Sequence, residues 1–341
     1  MRTLQAASLS AGLVTVHRSG KGKYLNMRSL NERAADLVRQ MAARADELDV
    51  EVVHSAKGAM VIDAGVKSPG SLEAGRIYAE ICMSGLGKVS FVPYSEGGLS
   101  MPGLCVAVIR PSLACMASQY AGWQVSSGKY FAMASGPGRI LRGREDLIKE
   151  IGHTEKSGVA VLTLESEGLP PDEVTDHLAE ECGVSPDSLM LAVAHTNSIT
   201  ASVQVVARVV ETGMHKMHQC GFDIGTVKSG WGTAPLAPVG KNSLEAMGWT
   251  NDAVLYGGDV WYHVETDDAS IEEVIGKLPS SASKDFGSPF AELFRKYEGD
   301  FYRIDPLLFS PARVTINNIS TGSVFRAGSP ASQVLKKEWG L

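Results

Sequence analysis

Residues 189–219 read LMLAVAHTNSITASVQVVARVVETGMHKMHQ, a strand, a polar turn and a helix in direct succession. Leu189–Val193 is a short apolar run of strand length. Ala194-His195-Thr196-Asn197-Ser198 is a polar strand-to-helix turn suited to binding. Roughly Ser202–Gln219 has helical periodicity and ends at Gly221, which suits the left-handed conformation that closes many helices. At about 100° per residue from Val203, the residues Val206, Ala207, Val210, Met214 and Met217 share one face. Gln204, Arg208, Glu211, His215 and His218 form a polar stripe beside it. The helix is therefore expected to bury one face and carry the stripe at its margin. The Gly225–Gly240 segment that follows, rich in glycine and proline, reads as a loop.

Upstream, Asn31–Leu48 is helical by period, and Val50–Val53 with Ala59–Ile62 reads as a strand pair turning at Lys57-Gly58. Ser68-Pro69-Gly70 breaks the chain before a helix over Leu72–Met83. Val89–Val92 and Leu104–Ile109 are short strands, and Pro111–Gln119 is a small helical segment. The middle is loop-rich, punctuated by Gly128, Gly136, Pro137, Gly138 and Gly143. Val159–Leu164 reads as a strand, and Pro170-Pro171 opens a helix to about Cys182. Downstream come strand-like runs in Leu255–Val264, helices over Ile271–Leu278 and Phe290–Tyr297, a serine-rich loop at Leu278–Ser288, and a closing hairpin of Val314–Ile319 with Ser323–Phe325. Strands and helices mix without a regular βαβ period, so the expected class is α+β, with mixed sheets in two αβ domains. The expected division is an extension over 1–30, a first domain over 31–155 that the hairpin 305–330 can rejoin, and a second over 156–304 carrying the long helix.

The 341 residues, 44% hydrophobic and 21% charged, are ordinary for a globular protein and suffice for a core without staples. A net charge of −6 gives no general attraction for nucleic acid, and no apolar run approaches the ~20 residues of a membrane helix. Five cysteines without a CxxC point to reduced thiols and the cytoplasm. The first acidic residue is Glu32, after Arg2, Arg18, Lys21, Lys23 and Arg28. That start reads as a solvated extension, with a basic presequence or a start at Met27 as alternatives.

Candidate chemistry is sparse. Gly136-Pro137-Gly138 lacks the third glycine of a dinucleotide fingerprint, and there is no phosphate loop. Arg139, Arg142 and Arg144 read as a basic turn or a phosphate grip. Glu211, His215 and His218 share a helix face, but without H-E-x-x-H they read as solvated more readily than as zinc ligands. No G-x-S-x-G elbow appears. Arg208 and Glu211, at i and i+3, form a surface salt bridge if the stripe is exposed. In a cleft, a carboxylate beside a fixed guanidinium would activate water.

Several strings resemble the methenyltetrahydromethanopterin cyclohydrolase family. They are Val61-Ile62-Asp63-Ala64-Gly65, Gly85-Leu86-Gly87, Ala117-Ser118-Gln119-Tyr120-Ala121-Gly122-Trp123 and Thr196-Asn197-Ser198. Gln204-Val205-Val206-Ala207-Arg208-Val209-Val210-Glu211, Leu278-Pro279-Ser280-Ser281-Ala282-Ser283-Lys284-Asp285 and Asp305-Pro306-Leu307-Leu308-Phe309-Ser310-Pro311-Ala312 add to them. The resemblance covers about Asn31–Ala327, and Gln119-Tyr120-Ala121 is closer to the forms of methylotrophic bacteria. It implies a cytoplasmic one-carbon enzyme that adds water to methenyl-tetrahydromethanopterin and so interconverts it with the formyl derivative. It implies a homotrimer of two-domain subunits, the pterin in a cleft between the domains, and neither metal nor nicotinamide cofactor. It implies Arg208 and Glu211 as the catalytic pair and Ser118, Gln119 and Tyr120 as a substrate-binding segment. Asn197 and Ser198 are further binding candidates, and Lys284, with Arg139 and Arg142, is a candidate for the substrate's phosphate tail. The alternatives are a non-catalytic pterin-binding protein and an amidohydrolase for another cyclic amidine.

Overall fold

The computed structural model describes residues 27–299 and 303–341, so the expected N-terminal extension lies, up to residue 26, outside the described residues. In chain order the elements are α1 (Leu30–Ala43), α2 (Ala45–Leu48), β1 (Glu51–His54), β2 (Met60–Asp63), α3 (Leu72–Cys82), β3 (Gly87–Glu96), β4 (Leu99–Ile109) and a π-helix (Ser112–Gln119). Then come β5 (Trp123–Ser127), β6 (Tyr130–Ser135), α4 (Gly138–Arg142), α5 (Asp146–Ile151), β7 (Ala160–Ser166), α6 (Asp172–Cys182), β8 (Leu189–Ala194), α7 (Ile199–Val206) and α8 (Val209–Gln219). The last part holds β9 (Val227–Pro235), α9 (Ser243–Gly257), β10 (Asp259–Val264), α10 (Asp268–Ile275), α11 (Phe290–Lys296), β11 (Arg313–Asn318), β12 (Val324–Gly328) and α12 (Ser332–Trp339).

Two sheets organise these elements. The first runs β1-β2-β8-β7-β6-β5, with β2, β8 and β7 parallel and the outer pairings antiparallel. Its central strands are covered on both faces, which explains their unbroken apolar runs. Ala34, Val38, Ile77 and Ile81 of α1 and α3 pack with Ile62, Val161 and Ala192 on one side. Leu178 of α6 packs with Leu162, Leu164 and Leu191 on the other. The second sheet runs β12-β11-β10-β9-β4-β3 and is antiparallel except for β10 beside β11. Its inner face joins Leu104, Val106, Val260 and Tyr262 to Val209, Val210 and Met214 of α8 in the largest core. Its outer face leaves Ile109 and Trp231 exposed. Both sheets are mixed, and the class is α+β as expected.

The sheets alternate along the chain. The division expected at 155/156 falls between β6 and β7, which pair in one sheet. The C-terminal hairpin β11–β12 joins β3 and β4 in the other.

Several elements differ from the sequence reading, α4, α5 and α9 among them, because it places no helix there. The Gly225–Gly240 loop contains β9, an interior strand of the second sheet. Its glycines are there for contact distance: a Cβ on Gly230 would stand 2.6 Å from Val210 Cγ1, and one on Gly232 would stand 2.9 Å from Val209 Cγ1. Helix α8 lies against the strand only because those side chains are missing. The single long helix is two. α7 starts earlier, at Ile199, where Ser198 Oγ accepts from Ala201 N at 3.0 Å and caps it, and the chain loosens at Ala207-Arg208 before α8. The loop-rich middle holds the β5–β6 hairpin, whose turn at Gly128 takes a positive φ of 57°. α12 has no counterpart among the expected elements; it packs on α9 and buries Leu335 and Trp339.

Candidate active site

The break between α7 and α8 puts Arg208 at the junction of the two sheets. Val209 and Val210 anchor α8 on the second sheet, whereas the guanidinium reaches the first. Nη1 donates to Gln119 O at 2.8 Å and Nη2 to Ser135 Oγ, in β6, at 3.0 Å. Nη1 also stands 3.7 Å from Glu211 Oε2, three residues on. The carboxylate is buried, only 4% exposed. Burial pushes its pKa above the ordinary carboxylate range, while Arg208 and then Arg139 pull it back. This is not the solvated surface pair that the sequence allowed. It is a desolvated carboxylate beside a cation held in place by two other bonds.

The π-helix supplies that hold. A π-turn leaves its closing carbonyls poorly paired within the helix. Arg139, fully buried, donates to the carbonyls of Met116, Ala117 and Ser118 and pairs with Glu145. Arg208 takes the next carbonyl, that of Gln119. Gln119 Nε2 donates to Ala207 O at 3.3 Å, so it fills the broken turn between α7 and α8. Its buried Oε1 has no partner. Arg139 is thus a structural clasp, and the phosphate grip suggested for it does not apply. Arg142 pairs with Glu181 and lies 4.2 Å over the Trp123 ring.

The remaining expected residues divide. Ser118 is buried, its hydroxyl bonded to Cys82 O and Ser84 Oγ, so its backbone alone faces this junction. Tyr120 stacks on His215 at 5.3 Å and lines an open cavity of about 440 Å³ with Trp123, Gln124, Met133 and Arg142. Ser198 is engaged in capping α7 and packs on Gly65, in a loop that Asp63 fixes by accepting from the N–H groups of residues 65–68. Asn197 keeps a buried Oδ1 without a partner. Lys284 is exposed, beside Ser283 and Asp285, which are tied to Asp305 and Tyr297 rather than to Arg208. His215 is pushed down to about 4, chiefly by burial, and stands neutral against Tyr120. His218 pairs with Glu150 instead of turning toward Glu211. Among the described residues no group of three or more His, Cys, Asp or Glu side chains is arranged to hold a metal ion. No helix among them is long and apolar enough to cross a membrane. All five cysteines are free thiols.

Sequence reasoning missed Glu165 and gave Thr196, in the polar turn, no separate role. Thr196 Oγ1 donates to Glu165 Oε1 at 2.7 Å, and Gln204 Nε2 donates to Oε2 at 3.1 Å. The only available signal was a lone acid closing the apolar strand 160–164.

The family model described as Cyclohydrolase (MCH) matches residues 29–339. A methenyltetrahydromethanopterin cyclohydrolase of Methanosarcina barkeri is 42% identical over 318 residues, 92% of this chain and 99% of the relative. That of Methylobacillus flagellatus is 43% identical over 312 residues, covering 92% and 95%. That of Xanthobacter autotrophicus is 44% identical over 300 residues, covering 88% and 89%. The chain belongs to the cyclohydrolase family that these methenyltetrahydromethanopterin enzymes represent.

Proposed function

We propose that this chain is a methenyltetrahydromethanopterin cyclohydrolase in which Glu211 is the general base and Arg208 its positioning cation. The observation that carries the mechanism is the buried Glu211 carboxylate at 3.7 Å from a guanidinium anchored on Gln119 O and Ser135. The methenyl carbon lies in a delocalised cation, already electrophilic, and needs a positioned water more than a Lewis acid. Glu211 takes one proton as the water oxygen bonds to that carbon. The resulting carbinol then loses its hydroxyl proton as one ring C–N bond breaks and the departing nitrogen takes a proton, so one proton is released overall. The buried carboxylate also opposes the substrate's positive charge in a site of low dielectric. The Ser118–Tyr120 segment serves as a backbone platform, with the Tyr120 ring at the cavity wall.

The substrate lies between the lobes built on the two sheets, where Arg208 bridges them. Asn197 lines that cleft, and Lys284 receives the phosphate tail at its mouth. The enzyme works in the cytoplasm in one-carbon metabolism without metal or nicotinamide. It is a homotrimer, and the outer face of the second sheet, with Trp231 and Ile109, supports burial against a second copy. Chelator-treated protein should accelerate loss of the methenyl chromophore. A strict requirement for added metal, or binding without turnover, would overturn the mechanism. A single 36 kDa species by light scattering would overturn the trimer.

A further inference from the structure

Successive strand residues point to opposite faces, and directly opposed residues share a face. In the β6–β7 register Ser135 opposes Thr163 and Met133 opposes Glu165. Ser135 and Glu165 therefore lie on one face, two strand positions apart, at roughly 7 Å. The end of α7 and the turn that follows it repeat the spacing above. Arg208 donates to Ser135, and Gln204, one turn earlier and about 6 Å back along the axis, donates to Glu165. Glu211 lies beyond Arg208. A carboxylate stands at each end of this row.

Glu165 has an unusual set of partners. Each oxygen accepts one bond, from Thr196 or Gln204, both neutral donors. A carboxylate oxygen accepts two, so each has capacity left. No Lys, Arg or His among the described residues pairs with it. The bond from Nε2 fixes the orientation of the Gln204 amide, because an ionised carboxylate has no proton to give. Gln204 is 2% exposed, and its Oε1 has no partner. Met133, opposite Glu165, lines the cavity that holds Tyr120. The end of the row thus holds unused acceptor capacity, on the Glu165 oxygens and on Gln204 Oε1.

We propose that Glu165, with the Gln204 carbonyl, binds the N–H edge of the substrate's 2-amino-4-oxopyrimidine ring. That edge offers two parallel N–H donors, the ring N3–H and the 2-amino group, a match for the two oxygens of a carboxylate. The reacting carbon of a pterin lies on the far side of the fused rings, as Glu211 lies at the far end of the row. Glu165 would then set orientation and specificity and take no part in proton transfer. This inference rests on the cyclohydrolase reading.

The test crosses enzyme variants with substrates. Wild type, Glu165→Gln and Gln204→Leu would each be assayed on the methenyl derivative of a tetrahydropterin and on its 2-deamino analogue. Wild type should prefer the 2-amino substrate by about tenfold to a hundredfold in kcat/KM, mostly through KM. Glu165→Gln should lose a similar factor on the 2-amino substrate, again in KM, and discriminate less than threefold. Gln204→Leu should reduce the preference in the same direction, and it carries the test if Glu165→Gln does not fold. An unchanged ratio in the folded variants would overturn the inference. Glu211→Gln separates the two readings. If it abolishes turnover while Glu165→Gln leaves the ratio intact, the mechanism stands and the Glu165 assignment falls. If it turns over normally, the mechanism falls first.

Discussion

Arg208→Lys separates a positioned guanidinium from an ordinary ion pair. The guanidinium reaches three acceptors with two nitrogens: Gln119 O at 2.8 Å, Ser135 Oγ at 3.0 Å and Glu211 Oε2 at 3.7 Å. A lysine ammonium is one point on a flexible stem and cannot hold both anchors while facing the carboxylate. At least one hydrogen bond from a charged donor is lost, worth ~1.5–3 kcal/mol. At about 1.36 kcal/mol per factor of ten, kcat/KM should fall by about tenfold to 150-fold. The pH profile should move as well. Burial raises the Glu211 pKa and Arg208 lowers it, so a cation held less closely lets it rise further. The base works only when ionised, so the acid limb of the rate should shift to higher pH. The assay is chromophore loss across pH, with melting temperature as the control for folding. If the pair were an exposed salt bridge, lysine would cost under ~1 kcal/mol and leave the limb in place. Activity within threefold of wild type and an unmoved limb would refute the positioning argument.

Glu211→Gln should lower kcat by about 10²–10⁴ while the protein stays folded, since the amide keeps the shape and loses the base; unchanged kcat would contradict the base assignment. Gly230→Ala places a methyl 2.6 Å from Val210 Cγ1, beside Glu211, and overpacking of that kind costs ~1–3 kcal/mol. Both melting temperature and kcat should drop, and normal values for both would show that α8 is free to shift. Lys216 is buried, donates to Leu307 O, and is pushed down to about 8 from 10.5. The unfolded chain therefore binds more protons between those values, so wild type should gain stability over Lys216→Met as pH climbs through that window. Denaturant titrations at pH 7.5, 9 and 10 would check it, and parallel curves would contradict it.

The Arg208–Glu211 pair was legible because helical spacing alone places both on one stripe, and the resemblance proposes a role for that stripe. Its burial was not legible, since whether a polar stripe meets water depends on what packs across it. Here that is the π-helix, whose carbonyls Arg139 and Arg208 collect. The apolar strands β7 and β8 announced themselves through doubly covered composition. β9 did not, because Gly230 and Gly232 are punctuation to a local reading and spacers to a tertiary one. Glu165 stayed hidden for a related reason: its partners are about thirty to forty residues away, and only the β6–β7 register aligns it with Ser135.

The alternation of the two sheets along the chain also shapes how the molecule is made. The first sheet is complete once β8 has left the ribosome, yet the β3–β4 hairpin emerges well before the strand that will cover its edge. Leu104 must wait for Ala234, and β9 in turn needs β10 and β11. During synthesis, then, an open strand edge and the apolar side chains of Leu104, Val106 and Val108 stand beside a finished neighbouring layer. Such long-range pairing slows folding and exposes an intermediate to association with its like. The yield of active protein should therefore depend on chain concentration and on the pace of translation through residues 110–235 more than on the stability of the finished fold.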